Sequence, residues 1–194
     1  MEIVIIQYNA GNIQSVDFAL QRLGVNAEIT ADPDKIRKAD KVIFPGVGEA
    51  SGTMKYLKEN GLDKIIRSLE QPVLGICLGM QLMCSYSEEG SSTCMDILPA
   101  PVKKFGAKPG LKIPHMGWNK VDALNQGIFS VLDQKYVYFV HSYYVPQNKH
   151  TTLTSNYDGT FSAAMQYKNF YGVQFHPEKS GEVGAQFLKE FITL

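Results

Sequence analysis

A cysteine between two glycines is the feature of this sequence with the clearest chemical potential. Gly75, Cys77 and Gly79 form a Gly-x-Cys-x-Gly pattern where an apolar segment passes into a helical one. Small residues two before and two after the cysteine permit a tight turn that projects the thiol from the end of a strand, as a nucleophile requires. The alternative interpretation is a small buried residue without chemistry, because free cysteines are often buried.

A cysteine nucleophile needs a base and a group that orients the base. His176 follows an apolar segment and is separated from Glu178 by Pro177 alone. At the end of a strand, residues i and i+2 point the same way, so the imidazole and the carboxylate would be presented together. A chance turn with a surface carboxylate is the alternative. The remaining histidines are interpreted as core, surface or loop groups: His115, His141 and His150.

A loop with two glycines supplies a third element of such a site. Pro45, Gly46, Val47 and Gly48 follow a buried apolar segment. Glycines free the backbone to aim an N–H group into a cleft, which is what an oxyanion hole requires, and the N–H of Leu78 would be a second donor. By itself the loop is weak support, and its value comes from lying at the carboxyl end of a strand.

Strands that alternate with helices must position these residues. Continuous apolar runs at residues 3–6, 41–44 and 72–76 are typical of strands buried on both faces of a parallel sheet. Between them, apolar residues at spacings of three and four predict helices, with Gly24 as a C-cap and Asp32 as an N-cap. Ser51 is predicted to cap a further helix, and a helix is predicted from Leu78 to about Tyr86, which would include Cys84.

The second half of the chain has a different pattern. Residues 136–145 and 171–175 are rich in aromatic and β-branched residues, and a turn at 157–160 separates two more strand candidates. A closing helix is predicted from about Ser180. The fold class is therefore α/β, with a central, mostly parallel sheet flanked by helices and an added mixed or antiparallel portion in the second half.

Composition bounds the function classes. The chain has 194 residues, with 19 basic and 19 acidic side chains, which fits one domain over residues 1–194 and disfavours nucleic acid and membrane surfaces as partners. No segment of the given sequence has the basic stretch, apolar core and cleavage site of a signal peptide, and no apolar run approaches the roughly 20 residues of a membrane helix, so we expect a cytosolic protein. Three cysteines without metal-ligand spacing predict neither a disulfide framework nor a metal site, and no cofactor is expected. Cys84 and Cys94 are interpreted as structural or incidental.

The order of the three motifs carries a family resemblance. PGVG at 45–48, GICLGMQ at 75–81 and FHPEKS at 175–180 together resemble a class I glutamine amidotransferase domain with a Cys-His-Glu triad. Within that family, the strings YNAGNIQSV at 8–16, PHMGWN at 114–119 and YFVHSYY at 138–144 are similar to those of the glutaminase subunits of imidazole glycerol phosphate synthase.

The resemblance implies a role for each matching residue. Cys77 would attack the carboxamide of glutamine, His176 would transfer protons, and Glu178 would orient His176. Backbone groups would surround the oxyanion at Gly46, Val47 and Leu78. Four side chains would hold the α-amino and α-carboxylate groups of glutamine: Gln81, Glu89, Ser142 and Tyr143. Gln7 stands where many relatives have an acidic residue, and no role is assigned to it.

Ammonia released by such a site needs an acceptor, and the sequence contains no phosphate-binding loop. The resemblance implies a heterodimer with a (β/α)₈ cyclase subunit that makes imidazole glycerol phosphate and aminoimidazole carboxamide ribotide in histidine biosynthesis. Because Val47 lies between two glycines, its peptide could point either way, and we expect low glutaminase activity without the loaded partner. The candidates for the partner face flank the predicted site: Gly11, Asn12, Trp118, Tyr138 and Lys179.

Other functions remain open from the sequence. A glutaminase subunit of this type could serve another synthase. A non-enzymatic redox sensor with Cys77 on a flavodoxin-like fold is a different class, although it would not need His176 with Glu178. A cysteine peptidase or another small cysteine hydrolase would share the cysteine and histidine, and the Gln81 match argues against it.

Overall fold

A computed structural model describes residues 1–9 and 12–194. The helices in these residues are α1 (Ile13–Arg22), α2 (Pro33–Lys38), α3 (Ala50–Glu59), α4 (Leu62–Arg67), α5 (Leu78–Met83) and α6 (Gly181–Ile192). The strands are β1 (Ile3–Ile6), β2 (Ala27–Thr30), β3 (Lys41–Gly46), β4 (Val73–Cys77), β5 (Cys84–Ser87), β6 (Ser92–Thr93), β7 (Leu98–Lys104), β8 (His115–Lys120), β9 (Asp122–Ala123), β10 (Tyr136–His141), β11 (Tyr143–Tyr144), β12 (Thr151–Asn156), β13 (Thr160–Tyr167) and β14 (Phe170–Val173).

The central sheet combines parallel and antiparallel pairing. Its order over the described residues is β2-β1-β3-β4-β14-β13-β12-β9. The five strands from β2 to β14 in this order are parallel, whereas β13, β12 and β9 are added antiparallel. The predicted α/β class, with its antiparallel portion in the second half, is confirmed.

Side chains of the parallel strands alternate between two cores, which explains the continuous apolar runs. In β1, Val4 and Ile6 pack with helices α2 to α5, whereas Ile3 and Ile5 pack on the opposite face with α1 and α6. Successive side chains of a strand point to opposite faces, so a strand covered on both sides needs an apolar residue at every position. The strands therefore hold their carboxyl ends rigidly between two layers of helices.

Two smaller sheets complete the molecule. Strands β8 and β10 form an antiparallel ribbon, and β11, β7, β5 and β6 form a mixed sheet. The strand predicted over 136–145 is interrupted at Ser142, because β10 and β11 pair with different neighbours. Ser142 therefore lies at a junction between the two small sheets.

The structure corrects two local predictions. The helix that begins at Leu78 ends at Met83, and Cys84 begins strand β5, which pairs with β6 and β7. Serine and tyrosine are weak helix formers, so this strand pairing prevails over the helical pattern. The N-cap of α3 is Glu49 rather than Ser51, because the Glu49 carboxylate accepts hydrogen bonds from the N–H groups of Ser51 and Gly52.

Other local predictions are confirmed. Gly24 adopts the positive φ of a helix C-terminus after α1, and Asp32 caps α2 through the N–H groups of Asp34 and Lys35. In the described part of the chain, none of the helices has the length and apolar character that crossing a bilayer requires.

Candidate active site

Cys77 lies at a sharp junction between β4 and α5. Its backbone has φ 53° and ψ −109°, a region that residues with a Cβ rarely adopt. A Cβ on Gly79 would overlap the carbonyl oxygen of Phe44, so only glycine lets the helix begin this close to β3. The strand–turn–helix arrangement predicted around Cys77 is therefore confirmed.

The register of the central sheet places three chemically useful positions side by side. Gly46 at the end of β3 is the direct partner of Cys77 on β4. On the other side, Val173 of β14 pairs with Ile76, so the next residues along these parallel strands are Gln174 and Cys77. A Cβ at Gly46 would lie 2.7 Å from the backbone nitrogen of Gly79, which explains why this position is glycine.

His176 and Glu178 are held together at the start of a short 3₁₀ turn, Pro177–Lys179. Nδ1 of His176 lies 2.7 Å from Oε1 of Glu178, and both side chains are fully buried. The same carboxylate oxygen accepts a hydrogen bond from Nδ2 of Asn12. Oε2 of Glu178 is buried and has no hydrogen-bond partner among the described residues.

The pKa of His176 reflects these neighbours. Burial by itself lowers this pKa, but negative charge on the Cys77 sulfur and on the Glu178 carboxylate outweighs burial and raises it to about 10. Nε2 of His176 is buried and makes no hydrogen bond to the part of the chain that the structure describes, and His176 and Cys77 line the same cavity. The imidazole therefore holds a proton readily at neutral pH beside the sulfur.

A cavity of about 340 Å³ opens above Cys77 and His176. The predicted site residues that line it are Val47, Cys77, Leu78, Gln81, Glu89, Ser142, Tyr143 and His176. The lining also includes four residues that were not among the predicted site residues: Gly48, Pro114, Val140 and His141. Gly46 is not in the lining but is buried next to Cys77, and Glu178 stands behind His176.

Glu89 and Gln81, two residues predicted to hold glutamine, each have a polar group placed to interact with a ligand. Burial raises the pKa of Glu89, whose carboxylate accepts a hydrogen bond of 2.9 Å from the backbone N–H of Ala50. Nε2 of Gln81 donates to the carbonyl oxygen of Tyr143 at 2.9 Å and to Oε1 of Gln174 at 2.8 Å. Both Gln81 donors are used, so its acceptor oxygen is the group left for a ligand.

The residues predicted for a partner face differ in how exposed and how free their side chains are. Trp118 and Tyr138 are cross-strand neighbours on the β8–β10 ribbon with a ring-centroid distance of 6.0 Å, and Trp118 is 56% exposed. Lys179 is exposed, whereas the side chain of Asn12 is occupied by Glu178. Gly11 lies outside the described residues.

Comparisons with known proteins agree with this geometry. The family model of class-I glutamine amidotransferases matches residues 4–194. The chain belongs to the class-I glutamine amidotransferase family. It is 55% identical to the imidazole glycerol phosphate synthase subunit HisH of Bacteroides fragilis strain YCH46, over the whole of both chains. It is 50% identical to the HisH subunit of Pasteurella multocida strain Pm70, over 98% of this chain and 96% of that protein.

A solved structure supports the fold independently. The crystal structure of a glutamine amidotransferase superimposes with a TM-score of 0.76 at 16% identity, covering 98% of this chain and 97% of the other. The resemblance predicted from PGVG, GICLGMQ and FHPEKS is confirmed at the level of the family. The more specific resemblance, to glutaminase subunits of imidazole glycerol phosphate synthase, is confirmed by the names and full-length identities of the two relatives above.

In this class-I glutamine amidotransferase, the remaining cysteines are chemically unlike Cys77. All three cysteines are free, but Cys84 and Cys94 do not line the cavity. Burial raises the pKa of both thiols, that of Cys94 to about 11. Their thiols therefore remain protonated at neutral pH, and the interpretation that they are structural or incidental stays a prediction.

Sequence reasoning missed two groups beside the cavity. Gln174 is fully buried and in contact with Cys77, and His141 is joined to His115 by a hydrogen bond of 3.0 Å. A signal for Gln174 was present, because a single amide interrupts the apolar run from Val173 to Phe175. No local signal pairs His115 with His141, since their contact depends on the register of β8 with β10.

Proposed function

We propose that this chain is the glutaminase subunit of an imidazole glycerol phosphate synthase, hydrolysing glutamine to glutamate and ammonia for a (β/α)₈ cyclase subunit in histidine biosynthesis. The observation that carries the proposal is the meeting of Cys77 and His176 in one cavity, with Glu178 on the far nitrogen of His176. Its relatives of 55% and 50% identity are named as HisH subunits of that synthase.

The proposed reaction begins with the Cys77 sulfur as a thiolate beside the His176 imidazolium. The sulfur bonds to the carboxamide carbon of glutamine, and the carbonyl electrons move to oxygen. When the tetrahedral intermediate collapses, the C–N bond breaks and the His176 proton goes to the departing nitrogen, which leaves as ammonia. His176 then takes a proton from water, hydroxide attacks the thioester carbon, and glutamate leaves as the C–S bond breaks.

Glu178 supports this proton cycle from behind. Its Oε1 accepts from Nδ1 of His176, which leaves Nε2 as the nitrogen that exchanges protons with the substrate. A buried carboxylate also stabilises the imidazolium form, in keeping with the raised pKa of His176.

We assign the oxyanion hole to backbone groups near Gly46, Val47 and Leu78. Leu78 follows the nucleophile directly, and Val47 lines the cavity from the loop after β3. Gly48 has φ 130°, a conformation open to glycine, so the peptide next to Val47 can reorient at low cost. Low activity without the loaded partner stays a prediction of this arrangement.

The glutamine would be held at its amino-acid end by Gln81, Glu89, Ser142 and Tyr143. The free acceptor oxygen of Gln81 and the carboxylate of Glu89 suit an α-ammonium group, which offers three donors. A bound cation would also stabilise the ionised form of Glu89, opposing the effect of burial on its pKa.

The β8–β10 ribbon is the surface we propose for the cyclase subunit. Its outer face exposes Met116, Trp118 and Tyr136, large apolar side chains that a partner would cover. Val140, the register partner of Met116, and His141 line the cavity, so a partner here would lie close to the released ammonia. Tyr138 and Lys179 would extend this face. One domain over 1–194 and a cytosolic location stay predictions.

Glutamine analogues test the activity directly. A chloroketone that mimics glutamine is expected to label Cys77 and leave Cys84 and Cys94 unlabelled, as judged by peptide mass spectrometry. Cys77→Ala should abolish glutamate release, whereas the matched variant Cys94→Ala should retain it. Full glutamate release by Cys77→Ala would exclude Cys77 as the nucleophile. Oxidation of Cys77 by peroxide in a protein that releases no glutamate would favour the redox sensor.

The identity of the partner is tested by purifying this chain from the cells that produce it and identifying the protein that copurifies. The activity of the purified complex is then assayed. We expect a (β/α)₈ cyclase to copurify and to convert glutamine-derived ammonia into imidazole glycerol phosphate. Trp118→Ala should weaken the complex, and Leu124→Ala, an exposed residue outside the ribbon, should not. Copurification of a different ammonia-using synthase would identify the chain as a glutaminase subunit of that enzyme instead.

A further inference from the structure

Gln174 is a buried amide in the site to which the proposed reaction gives no role. It is fully inaccessible to solvent and follows β14, directly beside Cys77 on β4. A buried side-chain amide is costly unless its donor and acceptor groups are satisfied. Its contacts are therefore informative: Oε1 accepts from Gln81 at 2.8 Å, and Nε2 lies 3.7 Å from the Cys77 sulfur.

The direction of this amide is fixed by the backbone of Tyr143. A carbonyl oxygen can only accept, so the Gln81 atom 2.9 Å from it is the donor Nε2. The same nitrogen also contacts Gln174, whose facing atom is therefore the acceptor Oε1. The other end of the Gln174 amide, which faces the sulfur, must then be its N–H group.

The Tyr143 carbonyl is itself held in place from a second side. Nδ1 of His141 lies 2.7 Å from this oxygen and donates to it, and Nε2 of His141 accepts from Nδ1 of His115 at 3.0 Å. Both histidines are buried, so the oxygen cannot turn away without leaving buried donors unpaired. The orientation of Gln174 thus depends on groups that are locked independently of it.

The Cys77 sulfur also has a neighbour that disfavours its negative charge, which gives the Gln174 N–H group a charge effect to offset. The carbonyl oxygen of Val140 lies 3.9 Å from Sγ and opposes a negative charge there. Hydrogen bonds donated to the ionised form of an acid stabilise that form. Among the described residues, Gln174 is the uncharged side chain that donates to Sγ, so it can offset Val140 without supplying a proton to the reaction.

We propose that Gln174 is a catalytic residue, whose Nε2–H stabilises the Cys77 thiolate before attack on glutamine and again when the thioester is hydrolysed. This inference rests on the proposed function. Gln81 lines the cavity proposed for glutamine and donates the hydrogen bond that orients Gln174. The side-chain amides of Gln81 and Gln174 therefore connect the bound glutamine to the Cys77 sulfur.

Two substitutions separate the donor from the shape of the residue. Gln174→Met removes the N–H group at similar volume, and Gln174→Glu keeps the acceptor for Gln81 but places an oxygen against the sulfur. The readout is the midpoint pH of Cys77 alkylation by iodoacetamide, followed by mass spectrometry on the full chain. We expect the midpoint to rise by about one unit in Gln174→Met, corresponding to a tenfold change in the thiol equilibrium, and further in Gln174→Glu.

The matched control is Gln166→Met, on strand β13 opposite Tyr171, which should leave the midpoint where it is in the unaltered chain. Alkylation requires no glutamine, so the shift is measurable even if the chain released no glutamate and the proposed function failed. Unchanged midpoints in both Gln174 variants, together with glutamate release that depends on Cys77, would overturn the inference alone.

A measurement on the unaltered protein covers the case in which neither variant folds. The side-chain amide protons of Gln174 can be assigned in NMR spectra by correlation with the backbone resonances of the same residue. Their chemical shifts should change as the Cys77 thiol titrates and should change again after Cys77 is alkylated. Amide signals that stay constant through both changes would overturn the proposal.

Discussion

Two buried histidine regions of this molecule have opposite protonation states. His176 is fully buried and its pKa is raised to about 10, whereas burial lowers the pKa of His115 to about 4 and that of His141 to about 3. Both regions adjoin the same cavity, and His141 and His176 both line it. Burial is common to the two regions, so it does not explain the difference.

The difference lies in the partners. His176 interacts with the Glu178 carboxylate and the Cys77 sulfur, and negative charge on these two groups favours the imidazolium. His141 donates to a backbone carbonyl and accepts from His115, whose Nδ1 must carry the proton, so this pair is satisfied when both rings are neutral. The first region therefore suits the proton transfer proposed above, whereas the second region holds the cavity wall at Tyr143 without changing its charge.

Removing the Glu178 carboxylate should leave His176 a neutral ring, as His115 and His141 are. Glu178→Gln keeps the shape but allows the amide to donate toward Nδ1, which favours the wrong tautomer and a neutral ring. We expect kcat for glutamate release to fall by about 10³- to 10⁴-fold, as in other triads that lose their orienting carboxylate. Steady-state kinetics measure the loss, and Glu182→Gln on α6 is the control. Activity within tenfold of the unaltered chain would contradict the role of Glu178.

The two regions should also respond to pH with opposite sign. Because the folded pKa values of His115 and His141 lie below the ordinary 6.5, the unfolded chain binds more protons between about pH 3 and 6.5, and their contribution to stability is lost on acidification. The folded pKa of His176 lies above 6.5, so its contribution is present at lower pH and is lost between about 6.5 and 10.

Chemical denaturation across pH 4 to 10 measures both slopes. We expect Glu178→Gln to flatten the alkaline slope of the unfolding free energy, and the double variant His115→Leu/His141→Phe to flatten the acidic one. Each variant serves as the control for the other. A Glu178→Gln variant that altered the acidic slope instead would contradict the assignment of charge to the two regions.

The comparison also separates what the sequence could reveal from what it could not. His176 and Glu178 are two residues apart, and Cys77 lies within a local turn pattern, so their spacing was enough to propose them as site residues. The helix after Cys77 was predicted too long, because the pairing of Cys84 with Leu98 on β7 is not encoded locally. Likewise Gln174 meets Cys77 across 97 positions of sequence, and only the parallel register of β14 with β4 brings them together.

The smallest expected effect concerns the neutral pair itself. His115→Leu leaves Nε2 of His141 as a buried acceptor without its donor, while Nδ1 stays bound to the Tyr143 carbonyl. We expect the free energy of unfolding to fall by about 1–3 kcal/mol, the cost of an unpaired buried group, with kcat changed less than threefold.

A double-mutant cycle with His141→Phe then isolates the hydrogen bond from packing, because the double variant has no orphaned acceptor and should lose less stability than the sum of the single variants. Additive losses would mean that the rings stabilise the site by packing alone, through the stacking of His115 on Tyr157 with centroids 3.9 Å apart. Coupled losses would instead show that the cavity wall at Tyr143 depends on the neutral pair, just as the proposed proton cycle at Cys77 would depend on the charged His176.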